Sequence, residues 1–226
     1  MLSALIVAAG SSQRMGFDKL FANLNGKPVV AHGIQAFEDC EAVDEILIVT
    51  REGREAEFGE LVRQQGWSKV KGVLTGGKMR HLSVWNGLLA LAGSGVAPDF
   101  VAVHDGARPL VTQEMIARCI ARAEETGAAC CASPVSDTLK RVDAQGCVHA
   151  SVDRTHLWAM QTPQIFAFPL LYEAYQAVIE ADETVTDEAS AVQGYGRAVA
   201  LVDAGGGFNL KVTYPRDLEI ARRLLG

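Results

Sequence analysis

Ser3-Ala4-Leu5-Ile6-Val7-Ala8-Ala9-Gly10-Ser11-Ser12-Gln13-Arg14-Met15-Gly16-Phe17-Asp18-Lys19-Leu20 opens the chain and decides how the rest is read. The apolar run Ala4 to Ala9 reads as a buried strand, and it empties into a small-residue loop punctuated by Gly10 and Gly16. Backbone N–H groups in such a loop can approach an anion closely, because no side chain intervenes and glycine tolerates positive φ. Arg14 and Lys19 add two full positive charges to the same loop. A strand followed by a glycine-bearing loop with fixed cations suits a polyphosphate. The bland alternative is a strand-to-helix turn with two solvated cations; the paired Arg and Lys favour the phosphate loop. The spacing is neither the P-loop, in which Lys directly follows Gly, nor the Gly-x-Gly-x-x-Gly dinucleotide fingerprint.

Composition narrows the class. The 226 residues suit one large α/β domain, and 49% hydrophobic with 21% charged residues is ordinary for a globular protein. No apolar run approaches the roughly 20 residues of a membrane span, and no basic stretch precedes the first apolar run. Neither a transmembrane helix nor a signal peptide is expected, and the location expected is cytoplasmic. The net charge of -6, with no basic block, argues against nucleic acid as a partner. Cys40, Cys119, Cys130, Cys131 and Cys147 are odd in number and form no C-x-x-C pair. They read as buried reduced thiols, and His32 and His81 as surface or supporting residues rather than ligands.

Further along, strands are expected at 45–49, 70–74, 100–104, 128–134 and 199–202, with helices at 29–37, 52–65, 112–126 and 169–180 between them. Thr112 is the expected N-cap of the third of these helices. Gly76-Gly77 ends a strand and leads into a helix whose first turn carries Arg80 and Ser83. A cation there opposes the helix dipole and needs a compensating partner, for which a bound phosphate would serve. Asp105 follows the strand 100–104, at the carboxyl edge where open parallel sheets gather ligands. A carboxylate facing a triphosphate would repel it unless a divalent cation lay between them, which makes Asp105 a candidate Mg²⁺ ligand. The alternative is a turn residue paired with Arg108. The segment 137–164 breaks the αβ rhythm and reads as a hairpin around Asp143-Ala144-Gln145-Gly146, for which a second subunit is the usual cover. Thr186-Asp187-Glu188-Ala189 opens another helix, Asn209–Val212 reads as a short strand carrying Lys211, and Pro215 begins the last helix with Leu218, Ala221, Leu224 and Leu225 inward.

The pattern Ala-Ala-Gly-x-x-x-Arg-Met-Gly-x-x-Lys resembles the signature loop of sugar-nucleotide-type nucleotidyltransferases, where it fits cytidylyltransferases and molybdenum-cofactor nucleotidyltransferases equally. Gly76-Gly77-x-x-Arg80-x-x-Ser83-Val84, His104-Asp105-Gly106-Ala107-Arg108-Pro109, Asp137-Thr138, Val152-Asp153-Arg154, Gln161-Thr162-Pro163-Gln164, Thr186-Asp187-Glu188-Ala189 and Asn209-Leu210-Lys211-Val212-Thr213 then occur in order. Together they resemble the 2-C-methyl-D-erythritol 4-phosphate cytidylyltransferase family across essentially the whole chain. With the chain stopping at Gly226, the fused cyclase domain that some relatives carry is not expected.

The resemblance implies a Rossmann-like three-layer α/β sandwich with a mostly parallel sheet, one domain over 1–226, and a protruding β-hairpin arm at 137–164 for dimerisation. It implies a Mg²⁺-dependent (or other divalent-dependent) transfer of cytidylyl from CTP to a polyol phosphate, with pyrophosphate released. Arg14, Lys19 and Lys211 are the implied catalytic residues. Ala8, Ala9, Gly10, Gly77, Arg80, Ser83 and Ala107 would hold CTP, and Asp105 the metal. Arg108, Thr138, Arg154, Thr162 and Thr186, with Asp105, would surround the polyol phosphate, arm residues serving the neighbouring subunit of a homodimer. Lys78 departs from the pattern, standing where several relatives carry an acid. The rival readings are a cytidylyltransferase for another polyol phosphate such as ribitol 5-phosphate, and a non-catalytic nucleotide-binding protein on the same fold.

Overall fold

The computed structural model describes residues 1–10, 15–204 and 208–226. The first strand is β1 (Leu2–Ala8), and a two-residue hairpin, β2 (Asn23–Leu24) and β3 (Lys27–Pro28), leads into α1 (Val29–Glu38). Strands and helices then alternate as β4 (Glu45–Thr50), α2 (Glu55–Gln65), β5 (Val70–Thr75), α3 (Arg80–Ala92), β6 (Phe100–Asp105), α4 (Gln113–Thr126) and β7 (Ala128–Pro134). The arm strands β8 (Leu139–Val142) and β9 (Val148–Val152) precede the long β10 (Trp158–Ala167). The chain closes with α5 (Phe168–Glu180), α6 (Glu188–Gly194), β11 (Ala200–Asp203) and α7 (Pro215–Leu224).

Seven strands form one sheet in the order β11-β7-β10-β6-β1-β4-β5. Every neighbouring pair is parallel except those of β10, which runs antiparallel to both β6 and β7. Both faces of the sheet are buried, so its strands are continuously apolar and alternate by face. Ala4, Ile6, Ile46, Ile48, Ala129 and Cys131 pack with Ile34 and Phe37 of α1, Phe58 of α2 and Ile116 of α4. Leu5, Leu47, Val101, Val103, Ala128 and Cys130 face Val84 and Leu88 of α3, Leu171 and Tyr175 of α5 and Val192 of α6. The three-layer sandwich expected from the sequence is therefore present. Thr112 caps α4, its hydroxyl accepting from Met115 N at 3.2 Å.

Several expectations are corrected. Residues 158–164 belong to the central sheet, leaving Leu139–Val142 and Val148–Val152 as the hairpin proper, paired only with one another. The polar, turn-rich appearance of 137–164 hid β10, because Gln161 and Gln164 interrupt its apolar pattern. Residues 208–213 form no strand; they are fixed instead by Val212 N donating to Ala107 O at 2.8 Å and by side-chain bonds from Asn209. Leu224 and Leu225 are exposed rather than inward, since α7 buries only a narrow stripe, Leu218 and Ala221, against Leu24 and Val29. Cys147 lies exposed on the arm, whereas the other four thiols are buried and free. His81 is buried in the first turn of α3. No helix among the described residues is long and apolar enough to cross a membrane.

Candidate active site

Two adjoining cavities open at the carboxyl edge of the sheet, about 540 and 500 Å³ in volume. The smaller is walled by Ala8, Ala9 and Gly10 at the end of β1, by Lys19, by Gly77 to Arg80 and Ser83, and by Ala107. The larger is walled by Arg108, Gln161, Thr162, Gln164, the start of α6 and Thr186 just before it. Arg80, Asp105 and Lys211 line both. The boundary between the cavities is thus an ionic cluster.

In the loop beside the smaller cavity, Gly16 takes a positive φ of 72°, while Gly10 is among no left-handed positions and has open space where a Cβ would stand. Arg14 lies outside the described residues. Lys19 donates to the Val212 carbonyl at 2.9 Å, which ties the loop after β1 to the segment carrying Lys211. The Gly76-Gly77 turn folds tightly on the first turn of α3: a Cβ on Gly77 would lie 2.4 Å from Leu82 Cβ, and one on Gly76 2.6 Å from Ser83 Oγ. Ser83 is fully buried and closes that turn, accepting from Gly77 N at 3.1 Å and donating to Met79 O at 3.1 Å. Lys78 is exposed on the rim of this cavity.

The cluster between the cavities is dense. Asp105 Oδ2 accepts from Lys211 Nζ at 2.8 Å and lies 3.5 Å from Arg108 Nε, while Oδ1 accepts from Arg80 Nε at 3.2 Å. Burial works against ionising this carboxyl. The charges of Arg80, Lys211 and Arg108 outweigh it and hold the group well below the usual carboxylate range. Arg80 reaches on to Glu188 with both terminal nitrogens, at 2.6 and 3.1 Å. Glu188 is fully buried and also accepts from Tyr175 Oη at 2.9 Å. Burial opposes the Arg80 charge, but Glu188 and Asp105 raise its pKa above the ordinary value. The partner that Arg80 needs at a helix N-terminus is therefore a pair of carboxylates in the protein itself.

Arg108 is held from below. Its Nη1 donates to Asn209 O at 2.7 Å, and burial lowers its pKa against the pull of Asp105. Asn209 Nδ2 donates to Thr162 O at 2.7 Å. Burial pushes His104 down to about 4, so at neutral pH its imidazole is uncharged. Gln164 braces α6, donating to Asp187 Oδ2 and accepting from Ala189 N, both at 3.0 Å. Asp187 is the N-cap of α6, with Ser190 N 2.9 Å from its carboxylate.

Chain folding thus brings Ala8, Ala9, Gly10, Lys19, Gly77, Arg80, Ser83, Asp105, Ala107, Arg108, Thr162, Thr186 and Lys211 to one cleft. It does not bring Thr138 and Arg154 there. Both are exposed on or beside the arm, where Arg154 donates to Ser136 O. Sequence reasoning assigned no role to Glu188, His104, Asn209 or Tyr175. Glu188 carried a signal, an acid in the first turn of a helix, but that signal equally fits a solvated dipole partner.

The family model for 2-C-methyl-D-erythritol 4-phosphate cytidylyltransferase matches residues 2–226. The chain belongs to this family. The enzyme of that name from Bacillus mycoides (strain KBAB4) is 40% identical over 227 residues, covering 100% of this chain and 98% of its own. Among solved structures, a 4-diphosphocytidyl-2C-methyl-D-erythritol synthase superposes with a TM-score of 0.84 at 37% identity, covering 100% and 98% of the two chains. The 2-C-methyl-D-erythritol 4-phosphate cytidylyltransferase of Thermus thermophilus superposes with a TM-score of 0.80 at 30% identity, covering 98% and 97%. Family membership makes the two-chambered cleft intelligible. A cytidylyltransferase must seat two phosphate-bearing substrates side by side, and here two cavities share one cationic wall.

Proposed function

We propose that the cleft performs the reaction for which the family is named, transfer of a cytidylyl group from CTP to 2-C-methyl-D-erythritol 4-phosphate with release of pyrophosphate. The observation that carries this reading is the shared wall of Arg80, Asp105 and Lys211 between a phosphate-loop cavity and a second, polar one. CTP takes the smaller cavity, its triphosphate over Ala8 to Gly10 and beside Lys19. The polyol phosphate takes the larger, facing Arg108, Thr186 and Lys211, with Thr162 in the floor.

The chemistry then follows from charge. A phosphomonoester is already a competent nucleophile at neutral pH, so its oxygen can attack the α-phosphorus without a general base. Two polyanions must be pressed together, and positioning with charge neutralisation carries the rate. Lys211 lies on the line between the cavities and can hold the attacking phosphate against the α-phosphate. Lys19 stabilises the crowded transition state and the departing pyrophosphate, and Arg14 is assigned the same task. Asp105 keeps Lys211 and Arg80 oriented.

Magnesium suits this site as a companion of the nucleotide. Among the described residues no three His, Cys, Asp or Glu side chains converge into a metal cage. Magnesium needs only one or two carboxylates when phosphate oxygens and water complete its shell. Asp105, ionised and facing both cavities, is the residue that would hold it. Bound there, the ion would neutralise phosphate oxygens at the reacting centre.

The reading extends to a homodimer. Val142 and Val148 leave 56% and 64% of their surface exposed on the arm, a cost that a second subunit would remove. Arg154 and Thr138 would then complete the neighbouring cleft. Pyrophosphate release measured with CTP and either 2-C-methyl-D-erythritol 4-phosphate or ribitol 5-phosphate tests the whole assignment. Turnover with the first and not the second is expected; the reverse preference overturns the substrate, and no release with either overturns the function.

A further inference from the structure

We infer that His104 is a positioning residue of this active site, fixing Asp105 and Arg108 through the hydroxyl of Thr162. The inference rests on the cytidylyl-transfer reading and deepens it. It starts from a register. β10 and β6 pair antiparallel with Gln164 opposite Val103, so the same register carried two residues further would set Thr162 opposite Asp105. The ladder stops there, and β10 is irregular between Met160 and Gln164. Asp105 N donates instead to the Thr162 side chain, Oγ1, at 3.1 Å. That frees the Thr162 carbonyl to accept from Asn209.

Thr162 Oγ1 is also 3.0 Å from His104 Nδ1, and His104 Nε2 is 3.2 Å from the Arg108 carbonyl. The partners dictate where each proton sits. A carbonyl can only accept, so in the neutral ring the single proton sits on Nε2 and Nδ1 accepts. Thr162 O–H therefore donates to Nδ1, while its lone pair receives Asp105 N–H. The hydroxyl's one proton is thereby directed at His104.

The circuit closes on Arg108. Its carbonyl accepts from His104, and its guanidinium donates to the carbonyl of Asn209, whose side chain holds Thr162. His104 is completely buried, its ring 5.1 Å from that of Phe37, at a sheet position where neighbouring strands place aliphatic side chains. Apolar filling would satisfy packing there. A polar ring is needed only if both of its nitrogens have work, and both do.

The test is a double-mutant cycle on kcat and KM for pyrophosphate release, using His104→Phe, Thr162→Val, the double variant and Thr162→Ser. Both single variants should lower kcat by about tenfold or more, the scale of a small misplacement of catalytic groups, with little change in KM for the polyol phosphate. The double variant should be no worse than the poorer single one, because both break the same circuit. Thr162→Ser, which keeps the hydroxyl, should recover most of the kcat that Thr162→Val loses. Losses that multiply in the double variant, or a Thr162→Val defect confined to KM for the polyol phosphate, would overturn the inference. A second arm survives a variant that fails to fold. ¹⁵N NMR of the unmodified protein should show His104 as the Nε2–H tautomer, with an Nδ1 signal that moves in Thr162→Val; an Nδ1–H tautomer overturns it. Inactivity of the wild type would sink the functional reading and leave the NMR result standing on its own.

Discussion

Glu188→Gln probes the ionic chain beneath the cleft with almost no change in volume. Glu188 is fully buried and takes both terminal nitrogens of Arg80 together with the Tyr175 hydroxyl. A glutamine can still accept on one side, but its amide NH₂ then faces an Arg80 N–H, donor against donor. Breaking one partner out of a buried pair costs about 3–5 kcal/mol when the other charge is left uncompensated; Arg80 keeps Asp105 and part of its surface in water, so the lower end, about 3 kcal/mol, is expected. For a domain of this size each kcal/mol lowers Tm by about 2–4 °C, so a fall of roughly 10 °C is expected. Thermal and urea unfolding followed by circular dichroism measure it. Arg80→Met should cost a similar amount, whereas Arg80→Met combined with Glu188→Met should be less destabilised than the two losses added, since a well-packed apolar pair often replaces a buried ionic one at little cost. A Glu188→Gln midpoint within about 1 kcal/mol of wild type, or strict additivity in the double variant, would refute the reasoning.

Lys19→Ala should lower kcat by about a hundredfold while raising KM for CTP far less, the signature of charge stabilisation used in the transition state; near-normal kcat in steady-state assays would remove Lys19 from that role. Asp105→Asn should move half-maximal activity to much higher Mg²⁺ and weaken CTP binding with metal more than without it, measured by calorimetry. Unchanged metal dependence would leave Asp105 as an organiser of Lys211 and Arg80 only. Because the folded-state pKa of His104 is lowered from 6.5 to about 4, the unfolded chain binds the extra proton between those values. Stability should be full above pH 6.5 and fall toward pH 4 by up to about 3 kcal/mol, and His104→Phe should flatten that part of the curve; a wild-type urea midpoint constant from pH 4 to 6.5 contradicts it. The depressed Asp105 should withdraw its contribution only below its unfolded value near 3.8. Mixing inactive Lys19→Ala and Arg154→Ala proteins should restore activity if Arg154 serves the neighbouring subunit, and restore none after confirmed subunit exchange if it does not.

Local chemistry made much of this protein legible in its sequence. Strands buried on both faces must be continuously apolar, so β1, β4, β6 and β7 could be read directly. Glycines that close a turn against a helix, as at Gly76-Gly77, and a threonine that caps α4 act within a few residues of themselves. The cations of the cleft were legible because an acidic chain that handles phosphate must concentrate positive charge, and the ordered motifs named the family. Segments whose partners are distant in the chain could not be read in this way. β10 is polar at Gln161 and Gln164, and only its insertion between β6 and β7 makes it a central strand. Residues 208–213 resemble a strand by composition but bond to Ala107 and Thr162 instead. Arg80 showed in the sequence as a misplaced charge at a helix start, yet its compensating carboxylates, Asp105 and Glu188, lie 25 and 108 residues away. Sequence pattern encodes what each residue does to its own turn or strand, whereas the pairing of buried polar groups depends on which distant segments the fold sets side by side, and that only the tertiary structure decides.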